Sequence, residues 1–469
     1  EHFASHWLTI QPSLFDFIED EVGELDENQR LFVRLAESVE LGRIAAKYGW
    51  RGNGRRPSSR LAMSRLLLVK HVWNFPTTKD ALAEVRRAPS MRRLCGWESQ
   101  SDIPSDSTMS RAFGDFAADG TASSLFADFV KKVAKGRLVI HRSIDSTGID
   151  ARERAATGDE RAAAAKDAAV RAEIDARTGD FNAPSLQKSR DAETNLSLLP
   201  TLCDWGCKRN SKGKTQFWRG YKLHIAVADG DFPIAACLTS ASVHDSRAAI
   251  PLMQMADEAA VSLYDLGDAA YDAKEIREFS ESNNHVPIID VNPRRGTPKP
   301  DDRGGRLVRI TSAEKARFRS RSGVERVNGH LHDAHGGRTV RVRGHAKVPL
   351  HLTPGLLVIA VEQSAKMLCR RASPSAPRRP PSAGAPIPRI PFGPFPSPIR
   401  ERGAAGLSAN GSQTAVPRLS LPCRPCFRSL SHSFRHPRPQ NPRPSTEGPR
   451  AGEVLQLPHL AGRRDAAEK

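Results

Sequence analysis

The spacing of apolar residues changes character near residue 136. Upstream, apolar positions recur at helical intervals: Leu31, Leu35, Val39 and Leu41, then Leu61, Met63, Leu66, Leu67 and Val69, then Ala81, Leu82 and Val85. Ser105, Asp106 and Ser107 are cap-forming residues ahead of a further run from Met109 to Phe116. The pattern predicts a helical domain over residues 1–135, basic on its surface through Arg51, Arg55, Arg56, Arg86, Arg87, Arg92 and Arg93.

Downstream the period shortens. Leu138-Val139-Ile140 running on to Ile144-Asp145 reads as a buried strand. Tyr221, Leu223, Ile225 and Val227 alternate as a half-buried strand does, and Asp229-Gly230 is a hairpin signal leading to a partner strand from Phe232 to Leu238. His244-Asp245-Ser246 caps a helix to Ala260, Val261 to Asp265 is a short strand, Ala273 to Glu281 a helix, and Val286 to Asp290 another strand. Thr311-Ser312-Ala313-Glu314 fits a capping box opening a last helix. The stretch from about 151 to 215 interrupts this order. Its first part is rich in Ala, Arg and Asp and poor in large apolar groups, so it reads as a surface insertion. The order strand, insertion, strand, strand, helix, strand, helix, strand, helix describes an α/β mixed sheet with flanking helices over residues 136–365.

Residues 372–469 hold 19 of the chain's 34 prolines, with Ser, Arg and Gly and no periodicity, and are expected to be a disordered tail. The whole chain has 469 residues and a formal charge of +18, an excess that favours a polyanionic partner. The longest apolar candidate, Leu350 to Val361, is broken by His351, Thr353, Pro354 and Gly355, so no membrane span is expected. Neither a signal-peptide pattern nor a disulfide framework is visible in a chain with 7 Cys, which points to the cytoplasm.

Three acidic residues stand where they can converge. Asp145 ends the first strand, Asp268 follows the strand at 261–265, and Glu325 lies on the last helix. Hard carboxylate oxygens of this kind suit Mg²⁺, and a pair of such ions stabilises both oxygens of a phosphoryl displacement. Asp265 and Asp272 are rivals for the second position. On one continuous helix Phe318, Arg321, Glu325 and His332 would share a face about 60° wide. Arg321 could there grip a phosphate beside the carboxylate, or merely pair with Glu325 at i, i+4. Gly323 within this helix marks a close approach of another part of the chain.

Lys208, Lys214, Arg219 and Lys222, interleaved with Trp205, Phe217 and Trp218, form a basic and aromatic stretch suited to a DNA backbone or to a solvated loop. His330, His332, Asp333 and His335 have the look of a metal cluster, but on a helix His330 and His332 diverge by about 200° and cannot share an ion. Cys203 with Cys207, and Cys423 with Cys426, are single pairs where a structural zinc needs four ligands.

The element order is that of an RNase H-like core, and the motifs resemble the DDE transposases of bacterial insertion sequences. Ile144-Asp145-Ser146-Thr147 resembles that family's first-Asp strand, Trp218 to His224 its second strand, Leu238 to Ser246 its third-strand exit, and Asp268-Ala269-Ala270-Tyr271-Asp272 its second-Asp motif. Phe318-x2-Arg321-x3-Glu325-x6-His332 resembles its Tyr–Arg–Glu–Lys signature, with Phe and His standing for Tyr and Lys. The likeness covers about residues 60–365 and favours Asp268 as the second carboxylate.

The resemblance implies cleavage at transposon ends and strand transfer into target DNA. Asp145, Asp268 and Glu325 would be the catalytic Mg²⁺ ligands, with Mn²⁺ able to substitute. Arg321, Phe318, His332, Lys214, Arg219 and Lys222 would contact double-stranded DNA, held by a homodimer whose helical domain binds transposon ends or dimerises. The two departures weaken the grip on phosphate, and Arg338, Arg341, Arg343 and Lys347 stand close enough to compensate. They also leave room for a catalytically decayed DNA-binding protein, while the fold alone would serve a stand-alone nuclease.

Overall fold

The computed structural model describes residues 23–50, 52–54, 56–135, 137–171, 182–209, 213–290, 292 and 312–372. All fall within one compact unit, Glu1–Pro380. The expected tail beyond residue 372, Thr311 of the expected capping box and the Cys423–Cys426 pair lie outside the described residues.

Helices come first: α1 (Glu27–Ser38), α2 (Gly42–Lys47), α3 (Arg60–Val72), α4 (Thr78–Arg87), α5 (Pro89–Cys95), α6 (Asp106–Ala118) and α7 (Thr121–Ala134). Their starts follow local chemistry. Asp26 with Gln29, and Thr77 with Asp80, form reciprocal capping boxes, and the Ser59 and Ser105 side chains accept from Ala62 and Thr108 N–H groups. Helix α3 is buried along its length from Ala62 to Val72, as the central helix of a layer must be.

The sheet follows: β1 (Leu138–Asp150), β2 (Asp204–Arg209), β3 (Thr215–Ala228), β4 (Phe232–Ser240), β5 (Val261–Gly267) and β6 (Val286–Ile289). Its strand order is β2-β3-β1-β5-β6, with β4 pairing β3. Strands β1, β3 and β4 are antiparallel neighbours, whereas β1, β5 and β6 run parallel. This is the RNase H-like mixed sheet expected from the element order. Helices α11 (Asp245–Asp257) and α12 (Lys274–Ser282) supply the crossovers. His244 caps α11 as anticipated, its ring accepting from the Ser246 N–H. The hairpin between β3 and β4 turns through Gly230 (φ 80°) and Asp231 (φ 61°).

The stretch read as a surface insertion is partly built into the molecule. It forms α8 (Gly158–Arg171), α9 (Pro184–Gln187), α10 (Ala192–Leu198) and β2. Polar side chains hold it: buried Asn195 donates to Gln187 O and Gln254 Oε1 (both 2.9 Å), and Gln187 donates to Arg247 O (2.7 Å). Hydrogen bonds of this kind leave no hydrophobic periodicity to read. Gly220 (φ 155°) sits where β3 passes from β2 to its inner neighbours, and a Cβ there would meet Ile149 O at 2.0 Å.

The last helices are α13 (Ser312–Phe318), α14 (Ser322–Ala334) and α15 (Lys347–Ala372), with a 3-10 turn over Arg319–Arg321 between the first two. The single continuous helix expected around Glu325 is therefore broken just before Ser322. Helix α15 is buried from Leu350 through Val361 because it packs on α3, α6, α7 and β4, joining the helical layer to the sheet. Its apolar stretch is a core helix, and among the described residues no helix is long and apolar enough to cross a membrane.

One charged network lies inside the core. Arg142 on β1, fully buried, donates to Asp265 Oδ1 (2.7 Å) and Met253 O (3.1 Å), and also binds Asp257. Ser280 donates to Asp265 Oδ2 (2.6 Å), and His285 stands 3.2 Å from the same oxygen. Burial alone would raise the Asp265 pKa, but Arg142 and these hydrogen bonds hold it down at about 2.

Candidate active site

Strands β1 and β5 are parallel, with Arg142 opposite Asp265 and Ser143 opposite Leu266. Continuing that register two residues brings Asp145 level with Asp268, on strands about 4.8 Å apart. Asp268 directly follows the carboxyl end of β5, whereas β1 runs on to Asp150, so Asp145 lies within its strand and does not end it as the sequence suggested. Alternation puts Ser143, Asp145 and Thr147 on the face opposite Arg142. Helix α14 covers that face. Asn328 Nδ2 donates to Asp145 Oδ2 (3.2 Å), and His332 Nε2 lies 2.9 Å from Thr147 Oγ1. Glu325 precedes Asn328 by three residues and so shares its side of the helix.

Asp145 is half-buried and electrostatically uncomfortable. Burial pushes its pKa up; Lys208 opposes this, the like charge of Asp268 adds to it, and the result is about 6. Asp268 caps the 3-10 turn after β5, its Oδ1 accepting from Ala270 N–H (2.9 Å). Tyr271 in that turn is fully buried, its hydroxyl has no hydrogen-bond partner, and burial with Asp245, Asp145 and Asp268 nearby pushes its pKa upward.

The other rivals for the second position are committed elsewhere, Asp265 to Arg142 and Asp272 to Arg277 (2.9 Å). Glu325 is more exposed and receives Arg321 Nη2 at 2.5 Å, while the Arg321 guanidinium lies 5.7 Å from the Phe318 ring centre. Among the described residues, the only three metal-ligating groups whose donor atoms all lie within 4.8 Å of one another are His330, His335 and Glu362. Asp145, Asp268 and Glu325 are spread more widely, with Arg321 occupying Glu325.

Besides Arg321, two more of the residues expected to contact DNA are engaged within the protein. Lys222 Nζ pairs with Asp245 Oδ1 (2.9 Å), donates to Val243 O (2.7 Å), and has a side chain only 12% exposed. It braces the sheet edge and does not present its charge to solvent, a correction to the expectation from sequence. His332 is bonded to Thr147, and burial, then Arg338, lower its pKa, so it is a neutral partner of β1 where the family signature has a cation. Lys214 and Arg219 are exposed, as are Phe217 and Trp205 on the β2–β3 hairpin.

Of the downstream cations, Arg338 is paired with Asp333 (2.6 Å). Arg341, Arg343 and Lys347 line a cavity of about 490 Å³ together with Lys70, Lys79 and Arg152. Sequence patterns did not reveal this cavity, because its walls come from segments far apart in the chain. Nor did they single out Asn328, which no charge or metal-ligand spacing marks.

The donor chemistry fits a divalent cation. Asp145 and Asp268 offer hard oxygens side by side, and a positive ion there would relieve both the desolvation and the like-charge repulsion on Asp145. Glu325 is held by Arg321 and would have to be released from it to join them. Comparison with known proteins agrees with this geometry. Residues 140–359, spanning β1 to α15, match the family model described as a transposase DDE domain, and residues 20–115, spanning α1 to α6, match a transposase domain (DUF772). No curated protein and no solved structure matches the chain. The helical layer and the sheet thus each match a transposase model in the same chain, and the two matches together support an insertion-sequence DDE transposase.

Proposed function

We propose that the protein cuts DNA strands at the ends of a mobile element and joins the freed 3′ ends to target DNA, with Asp145, Asp268 and Glu325 holding Mg²⁺. The observation that supports this reading is the β1–β5 register, which, continued two residues, brings Asp145 level with Asp268 beside the helix bearing Glu325. Mn²⁺, sharing the preference for oxygen ligands, would substitute. Bound there, the metal supplies Lewis-acid polarisation of the phosphodiester and stabilises charge on the attacking and leaving oxygens.

The chain's own residues do the rest. Asn328 would orient Asp145 through Oδ2, helped by a hydrogen bond from the Ser146 N–H to the same carboxylate. Arg321, once displaced from Glu325, is freed to pair with a phosphate oxygen in bidentate fashion. The cations around the large cavity, with Lys214 and Arg219 on the hairpin, would neutralise backbone phosphates of double-stranded DNA. The helical residues up to 135 would bind the element's ends or the second copy of a homodimer.

Asp145→Asn tests the reading. The variant should lose Mg²⁺-dependent cleavage of end-containing duplex while still shifting that duplex in a gel. Cleavage at the wild-type rate would remove these carboxylates from the reaction. The Arg321–Glu325 pair and the neutral His332 favour a second reading, a DNA-binding protein that has lost catalysis. It predicts an end-specific shift by the wild-type chain with no product under Mg²⁺ or Mn²⁺.

A further inference from the structure

We infer that His330, His335 and Glu362 form a second metal site, for a Zn²⁺-type ion, separate from the carboxylate site. Helix geometry rightly forbids His330 and His332 from sharing an ion, but α14 ends at Ala334, and the chain turns so that His335 comes back over His330. Their ring centres are 4.7 Å apart, and His330 Nδ1 is 4.0 Å from Glu362 Oε2 on α15. All three donor atoms lie within 4.8 Å of one another.

His335 is the second, independent observation. It is 4% exposed, and its Nε2 is buried with no hydrogen-bond partner. The other ring nitrogen, Nδ1, donates to the carbonyl of His71 (2.9 Å) on α3. That bond places the proton on Nδ1 and leaves the buried Nε2 as the unprotonated nitrogen, free of any hydrogen-bond partner. A backbone carbonyl fixing the tautomer is the usual support of a metal-ligating histidine. His71 returns the contact, its Nδ1 lying 3.0 Å from the backbone carbonyl of His335, so both the ring and the backbone of this residue are held by α3.

Two imidazoles and a carboxylate are a borderline-soft N, N, O set that suits Zn²⁺ and leaves one tetrahedral position for water. Bond lengths of about 2.0–2.2 Å need donors about 3.4 Å apart, a contraction within reach of the partly exposed His330 and Glu362 side chains. The ion would fasten the end of α14 to α15. It would thereby fix the helix that carries Glu325 against the core helix that joins the layer to the sheet.

The test uses the full chain with Zn²⁺ alone as the probe, in a large excess of Mg²⁺ to keep oxygen-only sites filled. After chelation and dialysis against zinc, the wild-type chain should retain one equivalent more zinc by elemental analysis than His330→Gln or Glu362→Gln. Its thermal midpoint should rise with zinc by a margin both variants lack. Loss of even an outer partner of a ligating histidine weakens metal affinity about 10–100-fold, so the loss from a ligand should be no smaller. Because His330 and Glu362 are partly exposed, both variants should fold even if His335→Ala does not. Equal zinc content and equal thermal shift in wild type and variants, or no zinc retained by any, would overturn the assignment.

Discussion

Replacing Asp145 by Asn should stabilise the metal-free protein near neutral pH while abolishing strand cleavage. In the unfolded chain this carboxyl has its ordinary pKa of 3.8, whereas in the folded protein it is about 6. Between those values the folded state keeps a proton that the unfolded state has released, so stability falls as pH rises through the window. Each unit is worth about 1.4 kcal/mol, and roughly two units give a loss on the order of 3 kcal/mol, complete above about pH 6. Asn has no proton to lose and keeps the amide of Asn328 within reach. The assay is urea unfolding of both chains in EDTA at intervals from pH 4 to pH 7. The stability difference, Asn variant minus wild type, should grow by about 2–3 kcal/mol across that range, then shrink when Mg²⁺ is added to the wild type. A difference that stays constant with pH, or a variant less stable than wild type at pH 7, would refute the reasoning.

Other outcomes follow from the same structure. Mg²⁺ must displace the Asp145 proton, so affinity should drop about tenfold per unit below pH 6 and level off above it, as titration calorimetry would read. Arg142→Met leaves the Asp265 carboxylate buried and short of its main partner, at a cost of about 3–5 kcal/mol in urea unfolding; adding Asp265→Leu should recover part of that loss. Asp265 itself, with its folded pKa depressed to about 2, contributes stability that is present above about pH 4 and is lost as pH falls toward 2. Gly220→Ala forces a Cβ into the Ile149 carbonyl and should yield insoluble protein or a sharply lowered thermal midpoint, whereas Gly114→Ala, with open space around it, should be nearly silent.

Much of this architecture could be read from residues. The β3–β4 hairpin follows from alternation plus Asp229-Gly230, and α11 from its His244 cap, because these signals are local. What escaped was held by contacts distant in sequence. Strand β2 carries too few large apolar side chains to announce itself, and Trp218 packs there against Gly206, where any Cβ would meet the ring at 2.3 Å. The break at Arg319–Arg321 leaves no Pro to mark it. Lys222 looked like a DNA contact because charge in a sequence does not disclose its partner, and Asp245 lies 23 residues away. Asp145 and Asp268 could be nominated from strand ends, but their alignment depends on a parallel pairing that only the sheet supplies. His335 lies just past the end of α14, and a helix end cannot be located to the residue by periodicity alone.

The Arg142–Asp265 pair has a consequence beyond stability. It joins two residues that face each other across β1 and β5, three positions before Asp145 on β1 and before Asp268, which follows β5. Were β5 to slide by a single residue, Asp265 would turn to the opposite face and Arg142 would be left charged and dry. The ion pair therefore favours one strand alignment: the pairing that satisfies it is also the one that brings Asp145 abreast of Asp268, as the proposed metal site would need.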